Sequence, residues 1–505
     1  MSPHIFLMIR RLLYCLILIH CCHILSAQSF DEYRRRAQEN FQSYKQKQLS
    51  EFQAYRAQKN AEMEAYIRKV WKEMPERAPK PKPQIKDEDI QPVVVPDDID
   101  RTPKDNPIIP DEIIEEPTPQ PAPEPVAPIE EVPVKTEKWF SFSIYGTPCK
   151  VRFDTSTKPL LKSSNEDAIA DMWHDLCSGE YDNLYYDCLA LRKNYNLCDW
   201  AYVKMTEALA TKAYGPSKKK EAIVLQSIIL LQSGYKLVMG RAEDSSIHML
   251  LAADGDMYGY PYYDIKGEHF YLLDGSQVNR MFFMTELPDN LRKMRLAIVN
   301  ENNFASKQSK SRSLSSVKYA DARATVSCNE NLIAFYNEYP ESFVNNDSKT
   351  RWRFYAQAPL SQEAQSTLYP SLRKAILGKN KLQAANILLN FVQTAFVYEY
   401  DDMVWGRDRA FFPDESLYYP YCDCEDRAIL FSRLVRDILG LKVVLVYYPG
   451  HLATAVHFEE DINGDYLSVR EKKYVICDPT IIGAGAPVGI TMTGMDNGKA
   501  VVIEL

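Results

Sequence analysis

The chain has 505 residues, enough for two or three domains, and an ordinary globular hydrophobic share of 46%. Its net charge of -8, with no basic segment standing out, gives no reason to expect nucleic acid as a partner. Thirty prolines against nineteen glycines is an unusual balance, and more than half of the prolines fall in one stretch, residues 75–135.

At the N-terminus, Arg10 and Arg11 precede a short apolar run, Leu12 to Leu25, broken by His20 and His23. Leu25-Ser26-Ala27 then offers a small-residue cleavage site before Gln28, so residues 1–27 are expected to be a signal peptide. The run is too short for a comfortable transmembrane helix, and no membrane span is expected once the signal is removed. The alternatives are an uncleaved anchor, or a lipid-modified start at Cys21 or Cys22, for which Leu18-Ile19-His20 is a poor processing match. Cys15, Cys21 and Cys22 leave with the signal, and eight cysteines remain. Export permits disulfides, and Cys177, Cys188 and Cys198 are close enough in sequence to offer one. No metal spacing is present: Cys422-x-Cys424 is too tight for a zinc pair and lacks a second pair, so no metal and no cofactor is expected.

Residues 28–74 repeat every eleven positions. Phe30, Phe41, Phe52 and Met63 recur in register, each followed three residues later by Tyr33, Tyr44, Tyr55 and Tyr66. Eleven residues nearly complete three helical turns, so the pairs form one stripe along a helix. Such a stripe suits a right-handed coiled coil or a helical partner, and a solvated stalk is the plainer alternative. Residues 75–135 are expected to be a proline-rich linker. At roughly 3.1 Å per residue it spans more than ~100 Å.

Folded sequence is predicted from near Trp139. Phe140 to Phe153 alternates like a hairpin around a Gly146-Thr147-Pro148 turn. Residues 164–235 are predicted helical, the last helix running from Lys219 to Ser233 and ending at Gly234. Strands are expected near 235–240, 247–252 and 268–273. A strand-rich connector is expected over 286–360, and helices over 360–400.

The stretch that carries chemistry begins at Cys422-Asp423-Cys424-Glu425-Asp426-Arg427-Ala428, followed by an apolar helical run through Leu439 and then Gly440. Two strands follow, Leu441 to Tyr448 and Leu452 to Phe458, separated by Pro449-Gly450-His451. A third, Lys473 to Cys477, ends in Asp478-Pro479-Thr480. Cys424 sits where a helix begins, and the unpaired amides and positive helix end there lower a thiol's pKa. His451 at a strand mouth can face Cys424, and Asp478 on the neighbouring strand can hold the imidazole in the useful tautomer. Cys422 and His457 are the weaker candidates for nucleophile and base. Gln393 and Trp405 lie upstream, where an oxyanion donor or an aromatic wall could stand; an ordinary helix residue and packing are the plainer assignments. Arg427 is expected to pair with an acid.

D-C-E-D-x-A-x-L at Asp423 to Leu430, P-G-H at Pro449 to His451 and D-P-T at Asp478 to Thr480 occur together in one helix-strand-strand-strand layout. In this the sequence resembles the transglutaminase-like superfamily, whose members share a papain-like core. The resemblance covers about 380–490 and implies a catalytic Cys424, His451 and Asp478 in a domain spanning 361–505, acting on a peptide or protein substrate. With the expected signal, the chain is expected to be an exported bacterial member of the superfamily, periplasmic or at the cell surface; such members are often peptidases, amidases or proteins of unassigned activity. Metazoan-type crosslinking is not implied.

Residues 219–276 echo 425–480. Ala222 and Gly234 match Ala428 and Gly440 at the same separation, His248 matches His451, and Asp274 matches Asp478 with an offset of one; Lys218 stands where Cys424 would. A degenerate unit over 136–285 is therefore expected, its nucleophile lost. The expected architecture is α+β, helices packed on antiparallel sheet, duplicated. Two functions remain open. One is a cysteine-dependent amide acyl-transfer enzyme. The other is a non-catalytic envelope adaptor or peptide-binding scaffold, with Cys424 an inert core thiol.

Overall fold

The structure, a computed structural model, describes residues 3–74, 102–115, 134–276, 278, 280–481 and 485–505, with no side chains before Glu32, at Tyr33 or at Met74. Residues 1–65 form one unit and residues 66–505 a second. The first unit lies on helix α1, Pro3–Arg68, which runs through the expected signal and the eleven-residue repeats without a break. Phe41, Tyr44, Phe52 and Tyr55 of the stripe are exposed, and Arg36–Glu32 and Arg35–Glu39 pairs one turn apart brace the polar faces. Phe30 and Tyr33 lie outside the described side chains. Among the described residues no helix is long and apolar enough to cross a membrane.

The second unit mixes helices with antiparallel sheets, an α+β organisation. Its hairpin pairs Trp139–Ile144 with Thr147–Arg152. The turn is Tyr145-Gly146, both with positive φ (42° and 67°), rather than Gly146-Thr147-Pro148. A two-residue loop of this kind needs two left-handed residues, which glycine supplies and proline cannot, so Pro148 falls in the strand. Helices Glu166–Cys177, Asp182–Asn194, Asp199–Tyr214 and Lys219–Gln232 (α2) then follow as the apolar pattern predicts. The expected strand-rich connector is mostly irregular. It holds two-stranded pieces such as Arg312–Ser315 with Arg323–Val326, and the helices Glu330–Asn337 and Arg351–Gln357. Leu332, Ile333, Phe335 and Tyr336 are buried at helical spacing, which short aromatic runs do not separate from strand periodicity.

Two sheets dominate. After α2 come β1 (Leu237–Ala242), β2 (Ile247–Ala252), β3 (Tyr262–Ile265), β4 (Glu268–Leu272) and β5 (Met281–Phe283). They lie in the order β5-β1-β2-β4-β3, and Lys72–Met74 pairs antiparallel outside β5. Further on, α3 (Lys381–Ala395) and α4 (Cys424–Leu434) precede β6 (Lys442–Tyr448), β7 (His451–His457), β8 (Asp465–Val469), β9 (Lys472–Cys477) and β10 (Val501–Glu504). These lie in the order β10-β6-β7-β9-β8. Both sheets thus have the same strand order, and each follows a helix, α2 or α4, that packs against its first two strands.

The second sheet has buried apolar residues on both faces. Val443 and Val456 face α3 and α4 in one cluster, while Val444 and Ala455, one residue along each strand, face the other way. Its edges are closed by Asn106–Ile108, parallel to β8, and Glu112–Ile114, parallel to β10. Residues 102–115 therefore depart from the predicted spacer. Pro107 and Pro110 bar a central strand, but an edge strand bonds on one side only and tolerates them. The rest of the linker, 75–101 and 116–133, lies outside the described residues.

Among the described residues no disulfide joins the eight cysteines from Cys149 to Cys477, so the one offered by Cys177, Cys188 and Cys198 is not formed.

Candidate functional site

Helix α4 begins at Cys424 because Asp426 caps it. The Asp426 carboxylate accepts the Asp423 amide at 3.4 Å and the Phe411 amide at 2.7 Å. The helix widens into a single π turn over Val435–Leu439 and stops at Gly440. The next strand returns as β7 across Pro449-Gly450, so His451 pairs opposite Tyr448 at the hairpin mouth. Strand β9 lies beside β7 and delivers Asp478 one residue past its end.

His451 and Asp478 meet. His451 Nε2 and Asp478 Oδ2 are 2.8 Å apart, with both side chains essentially shielded from solvent. The other Asp478 oxygen accepts the Thr480 amide at 3.0 Å, a local turn bond that fixes the carboxylate. Gln393 of α3 donates to the Asp478 carbonyl at 2.8 Å and to the Ala486 carbonyl at 3.0 Å. It holds the aspartate's backbone instead of serving an oxyanion. A Cβ on Gly485 would sit 2.2 Å from the Gln393 oxygen, so the chain approaches this amide only as glycine. The tyrosine ring of Tyr448 lies roughly parallel to the His451 imidazole, 6.4 Å away.

Cys424 is buried at the start of α4, a helix that packs against β7, the strand that begins at His451. The helix that starts at Cys424 thus lies on the strand that carries the imidazole, and Nε2 being taken by Asp478 leaves Nδ1 as the histidine's other nitrogen. The expected depression of the thiol pKa is corrected. Burial, and then the carboxyls of Glu425 and Asp423, push the Cys424 thiol well above its ordinary range. The helix end does not overcome them. Glu425 Oε2 accepts the thiol hydrogen at 3.1 Å.

That Glu425 belongs to a buried acidic group was not legible from Cys/His spacing. Asp401, Asp423 and Glu425 bring one carboxyl oxygen each within 4.8 Å of one another, the set among the described residues close enough to hold a cation. Burial, and then Asp408, push Glu425 up, while Arg351, 3.2 Å from Asp408, draws it down. Asp426 is pushed up by burial and by Asp401 and Glu425.

The remaining candidates have other duties. Cys422 is buried in the bridge Tyr421–Cys422, its thiol pushed up to about 11 by desolvation. His457, at the far end of β7, has Nδ1 2.9 Å from the Lys473 carbonyl. Trp405 packs edge-on against Phe411 and Tyr419. Arg427 does not pair with an acid. Fully buried, it donates to the carbonyls of Gln393 at 3.1 Å and Phe396 at 3.0 Å, closing the C-terminal end of α3. In the first sheet, His248 and Asp274 also meet, but through the other ring nitrogen: Nδ1 is 2.9 Å from Asp274 and Nε2 is 2.7 Å from Ser246. Lys218 precedes α2 and reaches Glu221 at 4.0 Å.

No family model matches the chain, and neither a curated protein nor a solved structure matches it.

Proposed function

We propose that the chain is an exported, cysteine-dependent acyl-transfer enzyme on a transglutaminase-like core, with Cys424 as nucleophile, His451 as base and Asp478 as the residue that orients the imidazole. The observation that carries this is the shielded 2.8 Å contact between His451 Nε2 and Asp478, made at the mouth of the strand against which the helix headed by Cys424 packs. The chemistry follows. The S–H proton passes to His451 Nδ1 as the sulfur bonds to an amide carbonyl carbon. The imidazolium returns that proton to the departing nitrogen, leaving a thioester and a free amine. Water or another amine, deprotonated by the same imidazole, then releases the acyl group from sulfur. Peptide hydrolysis, deamidation and transamidation all fit this sequence of steps.

Duplication belongs to the same proposal. The shared order β5-β1-β2-β4-β3 and β10-β6-β7-β9-β8, each behind a packed helix, supports two related units. The first has Lys218 where the nucleophile would be, and a histidine turned to a serine. It would brace the second unit or bind peptide. The exposed Phe41, Tyr44, Phe52 and Tyr55 support a helical or envelope partner for α1.

The burial and neutrality of the Cys424 thiol favour one competing assignment, a non-catalytic peptide-binding scaffold. Peptide and cell-wall fragment libraries, incubated with the wild type and with Cys424→Ala and read by mass spectrometry, separate the two. An enzyme releases amine, ammonia or cleaved product only with the sulfur present. Unchanged product formation by Cys424→Ala rules out this nucleophile.

A further inference from the structure

We propose that Glu425 is a positioning residue that holds the Cys424 thiol in its protonated form at rest, by accepting the S–H hydrogen bond at 3.1 Å. The proposal rests on Cys424 being the nucleophile described above and adds the control of its proton. A carboxyl oxygen can accept from a thiol, but an ionised carboxylate has no hydrogen to give a thiolate. Losing the thiol proton therefore exchanges an attractive contact for repulsion between two buried groups.

The surroundings deepen this preference. Asp423 and Asp426 face the same region from the start of α4, and Asp401 enters from the short helix Asp401–Val404. Asp408 follows from the next loop, paired at 3.2 Å with Arg351 of helix Arg351–Gln357. The charge Arg351 supplies is thus shared between Asp408 and Glu425. Against the acids, the Leu452 amide favours the thiolate, so the sulfur sits between one group that keeps its proton and one that welcomes its charge. During attack the proton leaves for His451 Nδ1 as the S–C bond forms, and Glu425 neither gains nor loses a proton. Until then a neutral thiol resists alkylation and oxidation, an advantage in an oxidising compartment.

Glu425→Gln keeps the shape and replaces a carboxyl oxygen with an amide that can donate to a thiolate. The test is the rate at which iodoacetamide modifies Cys424 in the full-length protein, followed by peptide mass spectrometry from about pH 6 to about pH 10. The expected result is an inflection in the wild type above that of the same cysteine in urea. In Glu425→Gln the inflection moves down by about one pH unit or more, with at least about tenfold faster modification near neutrality. Superimposable profiles for the wild type and Glu425→Gln overturn the proposal. Should the variant not fold, the wild type decides: a native inflection at or below that in urea also overturns it. Peptide turnover is scored separately. Loss of turnover with the shift intact sinks the enzyme and leaves Glu425 in place, and turnover without the shift does the reverse.

Discussion

At Asp478 the two oxygens are divided between two tasks: Oδ2 meets the His451 ring and Oδ1 takes the Thr480 amide. An asparagine there keeps the second contact through its amide oxygen and points NH2 at the imidazole. The histidine must then accept at Nε2 and carry its proton on Nδ1, the nitrogen the thiol needs as a base. Asp478→Asn is therefore expected to fold normally and to lower kcat by about 10²- to 10⁴-fold. Steady-state kinetics beside a circular dichroism melt checks both halves. Unaltered kcat would show that His451 does not act through that carboxylate. Cys424, His451 and Asp478 were legible because each stands at a boundary between elements, where Gly, Pro and apolar runs punctuate the sequence. The role of Glu425 was not. Next to Asp426 it looks like an ordinary first-turn acid complementing the helix dipole, and only burial among Asp401, Asp423 and Asp408 makes it a partner for sulfur.

Among the elements, α4 and the strands β6, β7 and β9 were foreseeable from apolar periodicity, with bounds shifted by a residue or two. The staple between α3 and α4 was not foreseeable. Arg427 seeks backbone carbonyls 31 and 34 residues away, and carbonyls carry no sequence signature. A second staple of this kind is Asp414 in the short helix Pro413–Tyr418, which accepts both the amide and the hydroxyl of Ser361. Burial pushes Asp414 from 3.8 up to about 7. A carboxyl that holds its proton more tightly in the fold than in the unfolded chain stabilises fully below its unfolded value. That contribution fades as pH rises through the folded one. Stability from Asp414 is thus greatest below about pH 4 and is lost through about pH 7. Asp414→Asn removes this titration. Its unfolding free energy relative to the wild type should improve between acidic and mildly alkaline solution, as urea denaturation at the two pH values would reveal. A difference that does not change with pH would mean that Asp414 ionises normally in the fold.

For the whole molecule, two sheets of one strand order stand in a single unit, and the proline-rich segment supplies strands to the edges of the second. The apparent spacer hid those strands because three-residue edge pairs leave almost no periodicity to see. Residues 66–505 form a unit of their own, so a fragment lacking 1–65 is expected to unfold cooperatively and to retain turnover. A calorimetric scan of the fragment tests this, and a broad, non-cooperative transition would count against it. The central claim concerns a thioester on one sulfur, and the intact mass of the protein after brief exposure to p-nitrophenyl acetate reads it most directly. Attack by Cys424 expels p-nitrophenol and leaves an acetyl group on sulfur. The wild type should carry a single acetyl mapped to Cys424, formed far more slowly in His451→Ala and absent in Cys424→Ala. An unmodified Cys424, or acetylation at the same rate without the His451 imidazole, would contradict a catalytic Cys424–His451–Asp478 site.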